Sequence, residues 1–297
     1  MDVEGFSSLK ELVVSLLSRN GLPGVKTLPN LEDAHNPMGM ASSTKSLTLE
    51  LKDNSVLRLF LKIRREGSEA EKLDKVFGLF NREKTMYGTI LPMLFQFQKE
   101  NSIKDTELQL KSMFPKYYGA GLINNDMFLV LENVLQDTGR YVTSKTNFHS
   151  KDQILLCMRQ LATFHSVNFC YQMKSNRNLL AEFPILEEPV YHPAKVDHIR
   201  SYFQGFFLKH LQIIKAIRKE YSNDNQTVLA KIDRICSEEK LDELIRKSGG
   251  LMEDIYDLLK PDNNAVVTHG DFHMWNIAFQ GRDPALMAIF FDLQVGQ

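Results

Sequence analysis

The sequence predicts an α+β protein of two lobes. Three observations carry this: alternating apolar segments concentrate before residue 133, helical periodicity dominates from about residue 150, and short strand signals return only near the end. The expected lobes are residues 1–133 and residues 134–297, with a cleft between them. At 297 residues, 43% apolar and 25% charged, the chain has room for one large or two modest domains.

Taken in order, Leu9, Leu12, Val13, Leu16 and Leu17 recur at helical spacing and predict an opening amphipathic helix. Pro23, Pro29 and Pro37 then punctuate an irregular stretch. Residues 46–51 and 56–63 alternate about the turn Lys52-Asp53-Asn54-Ser55, the pattern of a β-hairpin. In its second strand Leu57, Leu59, Leu61 and Ile63 share one face, and Val56, Arg58, Phe60 and Lys62 the other. Lys62 therefore projects away from the aliphatic face.

From 69 to 97 the period becomes helical, through Leu73, Phe77, Phe80, Tyr87, Ile90 and Leu94, with a break or kink expected near Pro92. Glu83 lies one turn from both Phe80 and Tyr87. Asn124-Asn125-Asp126 turns a second hairpin within 119–134, whose apolar strand 127–131 ends at Glu132-Asn133. A polar connector follows to about Ser150. A helix over 152–171 is expected to bury Ile154, Met158, Leu161, Ala162, His165 and Phe169. Further helices are predicted at 195–220, 226–236 and 239–260, the last interrupted at Gly249-Gly250. Strands are predicted at 265–268, 277–279 and 286–291.

Bulk properties narrow the function. Lys and Arg number 36 against 37 Asp and Glu, so no basic field draws the chain to nucleic acid or anionic lipid. Cys157, Cys170 and Cys236 are odd in number and widely spaced, which fits neither a disulfide framework nor a zinc site. The start lacks the basic flank and continuous apolar core of a signal peptide. No apolar run reaches the roughly 18 residues of a membrane span. A cytoplasmic protein is the expectation.

The stretch His269-Gly270-Asp271-Phe272-His273-Met274-Trp275-Asn276, followed by Phe291-Asp292-Leu293-Gln294, carries the chemistry. An Asp, an Asn five residues later and an Asp sixteen beyond that follow the order base, metal ligand, metal ligand of phosphoryl transfer. Asp271 is placed to orient and deprotonate an acceptor hydroxyl, and Asn276 and Asp292 to give oxygen ligands to Mg²⁺. The strand-turn-strand context brings all three to one end of a hairpin. Two other readings use the same residues. His269, Asp271 and His273 alternate, and on one strand face could bind the metal of a hydrolase, but Asn276, Lys62 and Glu83 are then unexplained. A non-catalytic nucleotide-binding protein is the other, although every acidic group needed for transfer is present.

The motif resembles that of the ecdysteroid kinase-like, or CHK kinase-like, family within the aminoglycoside phosphotransferase and choline kinase superfamily. The resemblance extends upstream to Leu59-Phe60-Leu61-Lys62-Ile63, Phe80-Asn81-Arg82-Glu83-Lys84-Thr85-Met86-Tyr87 and Leu129-Val130-Leu131-Glu132-Asn133, which are similar to the family's lysine strand, glutamate helix and interlobe hinge. It implies a protein-kinase-like fold, with a small β-rich N-lobe and a larger helical C-lobe. It also implies ATP and Mg²⁺: Lys62 on the α- and β-phosphates, Glu83 paired with Lys62, and the backbone of Leu131, Glu132 and Asn133 against the adenine. Asp271 becomes the catalytic base, and Asn276 and Asp292 the metal ligands. Leu293-Gln294 replaces the Phe-Gly of protein kinases, as in the family's own ending. Gly39, Ser42 and Ser43 are the phosphate-loop candidates. Family members continue through further helices beyond Asp292, so the chain is expected to lack C-terminal helices and to leave apolar surface uncovered. The implied acceptor is a hydroxylated small molecule, ecdysteroid-like or another lipophilic alcohol.

Overall fold

The computed structural model describes residues 4–27, 32–33, 43–101, 108–136, 139–142, 149–189, 191–192, 200–224, 230, 237–247, 251–262, 264–281 and 286–293. These fall into two compact units, residues 1–187 with 264–297, and residues 188–263.

Two hairpins make the centre of the first unit's larger sheet. Its strands are β1 (Gly5–Phe6), β2 (Val25–Thr27), β3 (Glu32–Asp33), β4 (Ser43–Leu51), β5 (Val56–Arg64), β6 (Tyr117–Ile123) and β7 (Asp126–Glu132). The order is β1-β6-β7-β5-β4-β2, with β3 also paired to β4. The turns form where the sequence places asparagine, which tolerates left-handed backbone: Asn54 has φ 68°, Asn124 φ 49° and Asn125 φ 69°. Asp53 adds a side-chain bond from the Ser55 amide at 3.0 Å.

The predicted alternation of β5 holds. Leu59, Leu61 and Ile63 are buried with Leu47, Leu49 and Leu51 of β4 and with Leu12, Val13, Leu16 and Leu17 of α1 (Leu9–Arg19). α1 starts at Ser8, whose side chain accepts the Glu11 amide. It lies close on β6 because Gly121 has no side chain: a Cβ there would come within 2.5 Å of Leu12 and 2.7 Å of Phe6. β7 is buried on both faces, Phe128 and Val130 toward the α1 core and Met127, Leu129 and Leu131 toward a second, helical core.

That second core rests on the glutamate helix. α2 (Glu69–Phe77) turns at Gly78 into α3 (Leu79–Thr85), then a π-helical turn (Met86–Ile90), then α4 (Leu91–Glu100). The expected break at Pro92 is thus a widened turn within a continuing helix. Proline offers no amide to the carbonyl four residues back, at Gly88, and its ring crowds that carbonyl; a π turn relieves both. Phe80, Tyr87, Ile90, Leu91 and Leu94 pack there with Phe114, Phe164, Phe290 and Leu293.

After α5 (Leu110–Met113), β8 (Arg140–Val142), α6 (Lys151–Ser175) and α7 (Leu179–Glu182), the first unit closes with β9 (Ile277–Gln280) and β10 (Met287–Phe290). β10, β9 and β8 form a second, antiparallel sheet, so the stretch read as polar connector contributes a strand. Two sequence expectations fail here for one reason. Residues 265–268 form no strand, and α6 buries Cys157, Gln160, Phe164, Val167, Asn168 and Tyr171, while on the predicted face Ile154, Met158 and Ala162 are exposed and Leu161, His165 and Phe169 are partly buried. Buried amide side chains take the place of ladder partners: Asn168 Oδ1 accepts the Val267 amide at 3.1 Å, Gln172 Nε2 donates to Ala265 at 3.0 Å, and Gln160 Oε1 accepts the Ala288 amide at 2.8 Å. Replacing Asn168 by leucine strands the buried Val267 amide, so urea unfolding is expected to show a loss of about 1–3 kcal/mol. Unchanged stability contradicts this anchoring.

The second unit contains α8 (Arg200–Asp224), α9 (Glu238–Lys247) and α10 (Leu251–Leu259), with Lys215 of α8 bonded to Asp242 of α9 at 2.6 Å. The predicted helix at 239–260 is thus two helices; that at 226–236 and the Gly249-Gly250 interruption lie outside the described residues, apart from residue 230. Cys157 and Cys170 are free thiols, and Cys236 lies outside the described residues. No helix among the described residues is long and apolar enough to cross a membrane. The architecture is mixed α+β and kinase-like, as the resemblance implied.

Candidate functional site

Lys62 stands on β5, on the face opposite its leucines, and is buried to 6% exposure. Its ammonium lies 2.9 Å from each carboxylate oxygen of Glu83, on α3. It also lies 2.5 Å from Asp292 Oδ1, a residue 230 positions away. Glu69, Glu71 and Asp74, the other acids of that helical region, fall on α2, where Glu71 bonds the Gly67 amide and Lys75 and Asp74 pairs with Arg64 instead.

One buried ammonium therefore serves two carboxylates. Burial alone would draw the Lys62 ammonium down, but Asp292 and Glu83 outweigh it and hold Lys62 above the ordinary lysine range. Glu83 is pushed up to about 7, first by burial, against the pull of Lys62 and with the charge of Asp292 adding to the rise. With both carboxylates ionised the trio carries one net negative charge, which a cation would offset.

β9 and β10 hold the remaining groups. Asn276 immediately precedes β9, and its carbonyl accepts the Phe291 amide at 3.1 Å; Asp292 follows directly. Both thus sit at one end of the hairpin, as the spacing suggested. Asp292 is in left-handed backbone, φ 68°, a strained conformation for a residue with a side chain, and of the kind that gathers at working sites. Asn276 Nδ2 donates to the Asp271 carbonyl at 3.0 Å and to Asp271 Oδ2 at 3.1 Å. Asp271 is part exposed, so its carboxylate is both oriented and open to a reactant.

His269 works behind this loop. Its Nδ1 accepts the Asp271 amide at 3.3 Å and its Nε2 meets the Phe291 carbonyl at 3.0 Å. An amide can only donate and a carbonyl only accept, so the ring is neutral with its proton on Nε2. It clamps residue 271 to residue 291. Burial pulls His269 down to about 4, outweighing the nearby carboxylates. With a free histidine near 6.5, the unfolded chain takes up a proton between about pH 6.5 and 4 that the folded chain refuses. Stability present above about pH 6.5 is lost as pH falls through about 4, by about 3 kcal/mol over the full window. His269→Gln is expected to flatten this part of the pH profile in urea melts; an unaltered slope contradicts it.

The same contacts leave the hydrolase reading without a free His269 nitrogen for a metal. Both ring nitrogens of His269 are engaged in a buried setting, and among the described residues no group of three or more His, Cys, Asp or Glu side chains could hold a metal ion. His273 is half exposed, with Nε2 3.4 Å from Asp271 Oδ2.

The remaining candidates divide. Leu131 and Asn133 are buried and Glu132 is partly exposed at the end of β7. The Glu132 amide bonds the Lys116 carbonyl at 2.7 Å and the Asn133 amide the Arg58 carbonyl at 3.0 Å. An adenine at this turn would be held by groups other than those two amides. Asn133 Oδ1 accepts the Leu135 and Gln136 amides at 3.2 Å, so its side chain shapes the turn. Gly39 and Ser42 lie outside the described residues; Ser43 is the first residue of β4, with its hydroxyl bonded to the Ile63 carbonyl at 3.3 Å. Sequence reasoning missed the Arg64–Asp74 pair, 2.6 Å apart, with Asp74 buried and Arg64 partly buried. Arg64 is two residues from Lys62 on the same strand face, a signal the alternation contained.

Residues 39–297 match the family model described as the ecdysteroid kinase-like family. No curated protein matches the chain.

Proposed function

Since the chain belongs to the ecdysteroid kinase-like family, a kinase-like group, we propose that it is an ATP- and Mg²⁺-dependent phosphotransferase acting on a hydroxyl of a small molecule. The supporting observation is the meeting of Lys62, Glu83 and Asp292 beside the Asp271–Asn276 pair. The assignment of lobes to residues 1–133 and 134–297, with the adenine near residues 131–133, belongs to the same proposal.

In this reading Lys62 binds the α- and β-phosphates and Glu83 keeps its ammonium in place. Asp292 and the carboxamide oxygen of Asn276 are hard oxygen donors, and the anionic excess around Lys62 suits a divalent cation there. Asn276 and Asp292 would hold Mg²⁺, which would supply charge neutralisation of the phosphates. Asp271 accepts the proton of the acceptor hydroxyl as its oxygen bonds the γ-phosphorus and the bond from that phosphorus to the β,γ-bridging oxygen breaks, leaving ADP. Asn276 fixes the Asp271 carboxylate, and His269 fixes the backbone that carries it.

For the acceptor we propose an ecdysteroid-like or other lipophilic alcohol, on the family's description. A screen of sterols and other hydroxylated small molecules with MgATP tests this. Phosphorylation of a lipophilic alcohol supports it. Nucleotide binding without transfer to any hydroxyl favours the non-catalytic reading.

A further inference from the structure

We propose that Arg64 and Asp74 are positioning residues that fix Glu83 against Lys62, a second tie between the lysine strand and the glutamate helix; the inference rests on the phosphotransferase reading above. Lys62 and Arg64 are alternate residues of β5 and project from one face. Lys62 reaches Glu83 on α3, and Arg64 Nη1 reaches Asp74 Oδ2, on α2, at 2.6 Å.

Asp74 does more than pair with arginine. Its other oxygen, Oδ1, accepts the Phe80 amide at 2.6 Å, and its backbone carbonyl accepts the Gly78 amide at 2.7 Å. Phe80 is in the first turn of α3, where amides lack helical partners and where negative charge is favoured by the helix dipole. Gly78, the residue before α3, offers no side chain to cap it. The cap therefore comes from the preceding helix, through a carboxylate anchored to the strand.

The consequence is mechanical. The first turn of α3 is held to β5 through Asp74 and Arg64, and Glu83, one turn on, is held to β5 through Lys62. With both ties the helix has a fixed distance and a fixed rotation on the strand. With only the Lys62–Glu83 contact, α3 has a single polar tie to β5 and depends on the packing of Phe80 for its rotation on the strand. Asp74 is 5% exposed, so this pair is built into the fold rather than formed at the surface. A group that must meet phosphate loses much when its support shifts: misplacement by about 1 Å costs up to about 100-fold in rate.

The test is the MgATP dissociation constant, by calorimetry, and the melting temperature of the full chain and its variants. Asp74→Asn is expected to weaken MgATP binding by about 10- to 100-fold, the loss of one charged hydrogen bond from Lys62 to phosphate. That loss should vanish in a Glu83→Gln background, because the two act as one unit. Arg64→Gln, which leaves the Asp74 cap on Phe80 in place, is the second variant and should weaken MgATP to a similar degree even if Asp74→Asn fails to fold. A wild-type affinity in folded Arg64→Gln overturns the inference, as does an Asp74→Asn loss that simply adds to that of Glu83→Gln. Absence of MgATP binding by the wild-type chain overturns the phosphotransferase reading together with this inference.

Discussion

Asp271→Asn is expected to lower phosphoryl-transfer turnover by about 10²–10⁴-fold, equivalent to roughly 3–5 kcal/mol of transition-state stabilisation. The variant keeps the size of the side chain and an oxygen to receive the Asn276 amide, 3.1 Å away in the native site. It removes only the capacity to take a proton. Nucleotide affinity should stay within a few-fold, because Lys62, Glu83 and Asp292 are untouched, so the loss falls on kcat rather than on KM for ATP. Turnover kept within a few-fold removes Asp271 from its role.

Asp292→Asn is the second large effect. Asparagine tolerates the left-handed backbone at this position, φ 68°, where alanine would add strain. The amide still offers an oxygen to Lys62 but carries no charge for a cation. A metal contributes several kcal/mol to charge stabilisation in such transfers, so turnover should fall by about 10³-fold and lose its dependence on Mg²⁺. A variant that responds to Mg²⁺ like the wild type contradicts the assignment.

How plainly the sequence announces these residues differs by element. Lys62 was legible because β5 alternates strictly, and the end of the hairpin because Asn276 and Asp292 flank short apolar strands. Glu83 needed the resemblance, since helical spacing alone did not distinguish it from Glu71. The inward face of α6 was misread because apolar periodicity assumes that buried positions are apolar. Gln160 and Asn168 are buried for their hydrogen bonds to amides more than 90 residues away in sequence, at separations of 128 and 99. Long-range pairing also hid β8, three residues whose partner, β9, lies far along the chain. Arg64 and Asp74 are not legible in the sequence because a charged pair reads as surface until packing shows Asp74 buried.

Calorimetric titration of ATP, with and without Mg²⁺, is the most direct measurement of the nucleotide site. The expected result is a single site that Mg²⁺ tightens in the wild-type protein and does not tighten in Asp292→Asn. No binding under either condition, or equal tightening in both proteins, contradicts it.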